Sequence, residues 1–227
     1  MKSKRTGRRF PAFFLAVSLV LSLWGCAGEK TAVSQDALLC YPGLEWNMTP
    51  EEVLNALSRE ESDCVPEEGI IERNSEKYET FSLPGLKLFG KETQTVFSFV
   101  GEAAGRFGLE AVYVLFPEDT NFEAVRDSLT DQLGKPSLPL APSEHALAWD
   151  SETPLKSYVE AVYGGVNNPG IDEIPAGRIF WTDNAKFYFQ CFGLTESGWR
   201  NKYNQKNILV FEGYLTKYVQ LARSKAS

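Results

Sequence analysis

The chain has 227 residues, 43% apolar and 13% aromatic, with 30 acidic residues against 23 basic and a formal net charge of −7. Such a length and apolar content can bury a core in one larger domain or two small ones. The negative balance argues against nucleic acid as a partner, because a phosphate polyanion is held by clustered Lys and Arg.

Five basic residues, Lys2, Lys4, Arg5, Arg8 and Arg9, precede an apolar run from Phe10 to Gly25, and no acid occurs before Glu29. Charge followed by an apolar run is the design of a secretory signal peptide. A run of about 16 residues broken by Pro11 is short for a permanent span, which needs about 20. Leu23-Trp24-Gly25-Cys26 resembles the lipobox of bacterial lipoproteins, where an apolar residue three before and a small residue one before a cysteine mark the residue that is lipidated. The resemblance implies removal of residues 1–25, palmitate-type acyl chains on Cys26, and a protein held on the extracytoplasmic face of the cell membrane. Cleavage after Ala27, leaving a secreted protein without lipid, is the alternative. Without residues 1–25 the chain keeps 18 basic against 30 acidic residues, a net −12. A membrane hold must then rest on acyl chains and not on attraction to anionic lipid heads.

Residues 26–43 are mixed in composition and read as a flexible tether, leaving 44–227 as a single α+β domain, with a division into about 44–116 and 117–227 as a variant. The first helix start is Thr49-Pro50-Glu51-Glu52, a capping box with proline at the first helical position, and Met48 with Val53 fits a hydrophobic staple. Seven acids between Glu51 and Glu68 face one arginine, Arg59, and read as a solvated acidic face. Strand-like runs follow at 70–73, 78–83, 95–100 and 109–116; the 101–105 connection is short enough for a hairpin, so the pairing is expected to be antiparallel. Thr120 and Glu123 form a second capping box for a helix with Phe122, Val125, Leu129 and Leu133 on one face, ended by Gly134 and Pro136.

Beyond it, 146–149 reads as a short strand, and Thr153-Pro154 as the start of a further helix with Leu155, Tyr158, Val159, Val162 and Tyr163 on one face. Residues 164–177 read as a loop by their Gly, Asn and Pro content, and 178–182 as a hairpin strand turning at Asp183-Asn184 into 186–192. The last stretch is ambiguous: Ile208, Phe211, Leu215, Tyr218 and Ala222 match a helix, whereas 208–211 alone pass as a strand. The expected fold is helices packed on one face of an antiparallel sheet, with a capped helix followed by strands occurring twice.

Gly43-Leu44-Glu45-Trp46-Asn47-Met48-Thr49 and Leu133-Gly134-Lys135-Pro136, the latter followed by Trp149, resemble the G-M-T...V and L-G-x-P...W pattern of small outer-membrane-assembly lipoproteins and β-lactamase-inhibitor-like folds. That resemblance implies a helical layer on an antiparallel sheet used for protein contacts, without catalysis.

Besides Cys26 there are Cys40, Cys64 and Cys191. Cys40 and Cys64 flank the first helix and could form a disulfide in an oxidising compartment; the alternative is that all three are small buried hydrophobes, the preferred reading for Cys191. A single histidine, His145, excludes sites that need two, and no phosphate-loop, dinucleotide or nucleophile-elbow motif is present. Neither a catalytic site, nor a cofactor, nor a metal is expected. The function expected is a lipid-anchored, non-catalytic interaction or structural protein of the cell envelope with a protein partner. One alternative is a glycan- or peptide-binding module in which Trp199 and Tyr203 stack on the ligand. A second is a secreted hydrolase with a carboxylate-based site, which a chain holding 30 acids supports only weakly.

Overall fold

The structure, a computed structural model, describes residues 39–73, 76–101, 107–139, 145–156, 174–191, 202–203 and 206–214. Eight strands form one sheet, every pair of neighbours antiparallel. They are β1 (Val65–Arg73), β2 (Glu76–Leu88), β3 (Lys91–Gly101), β4 (Phe107–Phe116), β5 (Leu138–Pro139), β6 (Ala146–Asp150), β7 (Gly177–Thr182) and β8 (Asn207–Gly213). Spatial order is β1-β2-β3-β4-β8-β7-β6-β5. Helix α1 (Pro50–Ala56) precedes the first four strands, α2 (Phe122–Leu133) precedes the next, and α3 (Ala185–Cys191) lies between β7 and β8. The order is mirrored about the β4–β8 pair, so the last strand of each half lies at the centre.

Side chains alternate between two faces, as the strand period requires. On β4, Val112, Val114 and Phe116 join one apolar cluster, while Ala111, Tyr113 and Leu115 join the other. Val53 of α1 and Phe122, Val125 and Leu129 of α2 belong to the first cluster; Ala185, Tyr188 and Phe189 of α3 belong to the second. The α+β class with an antiparallel sheet is as expected, but α3 takes the face opposite to α1 and α2.

At α1 the capping box forms as read: Thr49 Oγ1 accepts from Glu52 N at 3.3 Å and Glu52 Oε2 accepts from Thr49 N at 2.7 Å. At α2 the cap sits one residue later. Asn121 Oδ1 accepts from Ala124 N at 2.8 Å, while the Thr120 carbonyl accepts from Asn207 of β8 at 2.9 Å. Asparagine is at least as good a cap as threonine, and Thr120, 7% exposed, is drawn into the core beside β8.

Indole groups tie α2 to the sheet at both ends. Trp181 of β7 donates to the Phe122 carbonyl at 3.1 Å, and Trp149 of β6 donates to the Gly134 carbonyl at 2.9 Å. Gly134 has φ +80°, a helix-ending conformation that favours glycine. The Leu133-Gly134-x-Pro136...Trp149 pattern therefore has a physical content: the tryptophan caps the chain reversal that the glycine makes.

Several expectations are corrected. The expected tether of 26–43 is too long, because Leu39, Cys40 and Tyr41 are already core residues, with the Tyr41 ring set edge-on to Phe97 and Phe211. Residues 185–191 are helical and not the second strand of a hairpin: Asn184 Oδ1 caps Phe187 N at 3.0 Å, and Ala185, Tyr188 and Phe189 are buried at helical spacing. Residues 207–213 form a central strand, buried on both faces, and not the alternative helix. The helix expected after Pro154 falls largely on residues 157–173, outside the described residues. So do Trp199 and everything beyond Tyr214.

Candidate functional site

A concavity of the described surface opens between α1, the turn after it, and the β1–β2 end of the sheet. α1 ends at Ala56 and Ser58 takes φ +53°, which reverses the chain; Arg59 N returns to the Leu54 carbonyl at 2.9 Å. A single 3-10 turn, Glu61–Asp63, follows, closed by Asp63 Oδ2 accepting from Glu60 N at 3.0 Å. The result is a groove of about 790 Å³ with Leu54, Phe81 and Cys64 as apolar lining and Glu51, Glu60, Glu61 and Glu79 as acids, Arg59 being its basic member. A volume of this size is ordinary for a small-ligand or peptide site.

α1 has seven residues where α2, its counterpart in the mirrored order, has twelve. At 1.5 Å per residue the shortfall is about 7.5 Å of helix. The β1–β2 end is thus less covered by its helix than the β5–β7 end is by α2, and the groove occupies that space.

Burial, with the negative charge of Glu61 adding to it, holds the Glu79 carboxyl above its ordinary proton affinity. Burial acts likewise on the Cys64 thiol, helped by Asp63 and Glu61. Cys64 therefore stays a neutral thiol and a weak nucleophile. Cys40 is also pushed far up by burial and sits in the core. Both cysteines are free thiols, which corrects the disulfide reading. Cys191 has no described side chain.

The acid-rich 51–68 segment divides into distinct roles. Glu52 and Asp63 cap their helical turns, and Glu51, Glu60 and Glu61 line the groove. The Glu67 side chain is only 3% exposed and accepts from Ser82 at 2.6 Å and from Tyr203 at 3.0 Å, with Lys202 at 3.5 Å. Reading the segment as one solvated face missed this, because cap and groove positions differ by tertiary placement and not by residue type. The excess of seven acids over one arginine was the available signal.

Tyr203 is 7% exposed and its hydroxyl is committed to Glu67, so it does not offer a free ring for ligand stacking. On the α3 face, Asp150, Arg178 and Glu212 are register partners on β6, β7 and β8. Arg178 makes a forked contact with Asp150 at 2.6 and 3.3 Å, and Glu212 accepts from the hydroxyls of Tyr188 and Tyr214. Burial first, and then the Glu212 charge, keeps both phenols protonated well past their ordinary range, so both act as donors; the Tyr188 bond ties α3 to β8, and the Tyr214 bond is local to the end of that strand.

His145 pairs with Asp183 at 2.8 Å and lies against the Phe122 ring. Among the described residues no group of three His, Cys, Asp or Glu is placed to hold a metal, and no helix is long and apolar enough to cross a membrane. Set against protein-family models, curated proteins and solved structures, the chain matches none.

Proposed function

We propose that this chain is a lipid-anchored lipoprotein of the extracytoplasmic membrane face that works by non-catalytic contact with another molecule. The observation that carries the reading is Cys26, placed at the end of a basic and then apolar leader in Leu23-Trp24-Gly25-Cys26. The early start of the packed chain adds to it. From Cys26 to Leu39 the chain reaches at most about 45 Å, at ~3.3–3.6 Å per residue, so a domain anchored at Cys26 works close to the membrane surface. We read α1 with β1–β4 and α2 with β5–β8 as two similar helix-then-strands units, a reading supported by the mirrored strand order.

Metabolic labelling with radioactive palmitate tests the anchor. Label should enter the full chain and be lost in Cys26→Ala; label absent from both, or equal in both, removes the lipid anchor and leaves a secreted domain.

The ligand-binding alternative divides. Its glycan half is weakened by the burial of Tyr203. Its peptide half draws support from the groove beside α1, whose apolar lining and acidic margin suit a side chain with an aliphatic stem and a cationic head.

A further inference from the structure

We infer that the groove beside α1 is a docking site for a basic, partly apolar segment of another polypeptide. The inference rests on the reading of the chain as an interaction protein and is independent of the lipid anchor.

Two features converge on this occupant. Leu54 and Phe81 provide an apolar surface within a cavity of about 790 Å³, enough for a few residues of peptide and more than a single amine needs. Glu51, Glu60, Glu61 and Glu79 gather four carboxylates around it against one guanidinium, Arg59. An anionic peptide would meet repulsion there, and a purely apolar one would leave the acids facing it without partners. Lys or Arg beside Leu or Val satisfies both, its alkyl stem lying on the apolar lining and its cation reaching the acids.

Strand addition is a poor alternative at this end of the sheet. β1 is the edge strand, but Pro66 offers no N–H and the β1–β2 register shifts between Pro66 and Glu68 and again between Glu68 and Ile71. Side-chain recognition in the groove, and not a backbone ladder, is therefore the mode expected. Arg59 would then compete with the incoming cation for the same acids.

The test uses the full chain in non-ionic detergent and a fluorescein-labelled hexapeptide of alternating Lys and Leu, read by anisotropy, with an alternating Glu and Leu peptide as control. The Lys peptide should bind saturably and the Glu peptide should not. The double variant Glu61→Gln with Glu79→Gln should weaken binding about tenfold, and Leu54→Gln should weaken it several-fold. Arg59→Gln should tighten it. Glu123→Gln with Asp131→Asn, which removes two exposed acids from α2, should leave it unchanged. Equal weakening by the groove and α2 variants would show attraction by net charge alone and overturn the site. Binding of spermidine to the groove with competition as strong as that of the peptide would overturn the polypeptide occupant. Thermal melts of each variant separate lost binding from lost folding. Palmitate labelling of Cys26 is read separately, so failure of the anchor and failure of the groove are distinguishable.

Discussion

Gly213 carries one of the tightest contacts in the molecule. A Cβ built there would lie 2.3 Å from the Trp46 ring, which is 3% exposed and seated directly on the β8 backbone. The stretch that delivers Trp46 is held beside it: Asn47 N donates to the Leu109 carbonyl at 3.0 Å, and Leu109 N donates to the Met48 carbonyl at 2.8 Å. Asn47 has φ +69°, a left-handed conformation that asparagine tolerates better than most residues. Gly213→Ala should cost about 1–3 kcal/mol in urea unfolding, because the ring cannot retreat from a packed core without strain. Trp46→Leu in the Gly213→Ala background should cost less than the two single changes summed. Strict additivity would mean that ring and glycine are not in contact. Sequence alone is silent on this pairing, since the contact joins residues 167 positions apart.

At the scale of elements, α2 is held by more than its apolar stripe. Its first turn is tied to β7 by Trp181 and its end to β6 by Trp149. The two bonds differ in setting: Trp181 to Phe122 is buried, whereas Gly134 is exposed and its carbonyl can turn to water. Trp181→Phe should therefore cost about 1–3 kcal/mol and Trp149→Phe about 0.5–1.5 kcal/mol, beyond any packing loss. Chemical denaturation of both variants checks the ranking, and the reverse order would refute the account of the two ends. α2 itself was legible, because Phe122, Val125, Leu129 and Leu133 repeat at 3.6 residues and Gly134 stops the run. α3 was not. Phe187-Tyr188-Phe189 has the composition of a strand, and only the Asn184 cap, together with a second apolar sheet face to bury Tyr188, turns the segment helical. The 207–213 segment shows the opposite case: a short run apolar on both sides becomes a strand because the centre of the sheet buries both its faces.

Over the whole molecule, charge and topology meet at the groove. The chain without residues 1–25 carries 30 acids against 18 basic residues, and the structure gathers four of those acids in the groove beside α1. Glu79 is the sensitive member. Its carboxyl is raised in the folded protein by burial and by Glu61 above an ordinary value of 4.5, so just above that value the folded state binds more protons than the unfolded one. Stability contributed by this group must then fall as pH rises through that window, and the penalty persists at neutral pH. Glu79→Gln should raise the melting temperature at pH 7, and the gain should vanish below about pH 4, where the carboxyl is protonated in both states. A gain of equal size at both pH values would show that charge is not its cause.

Local signals in the sequence determined the α1 capping box, α2, the four strands before it and the acidic balance, because each is written within a few residues as a period, a cap or a count. Only the tertiary structure decided that β8 pairs with β4 and β7, that α3 crosses to the other face, that Cys40 and Cys64 stay free, and which acids cap, which are buried and which line the groove. Those outcomes depend on contacts between distant residues, where the energy comes from the area and partners a side chain finds on arrival and not from the identity of its neighbours in the chain.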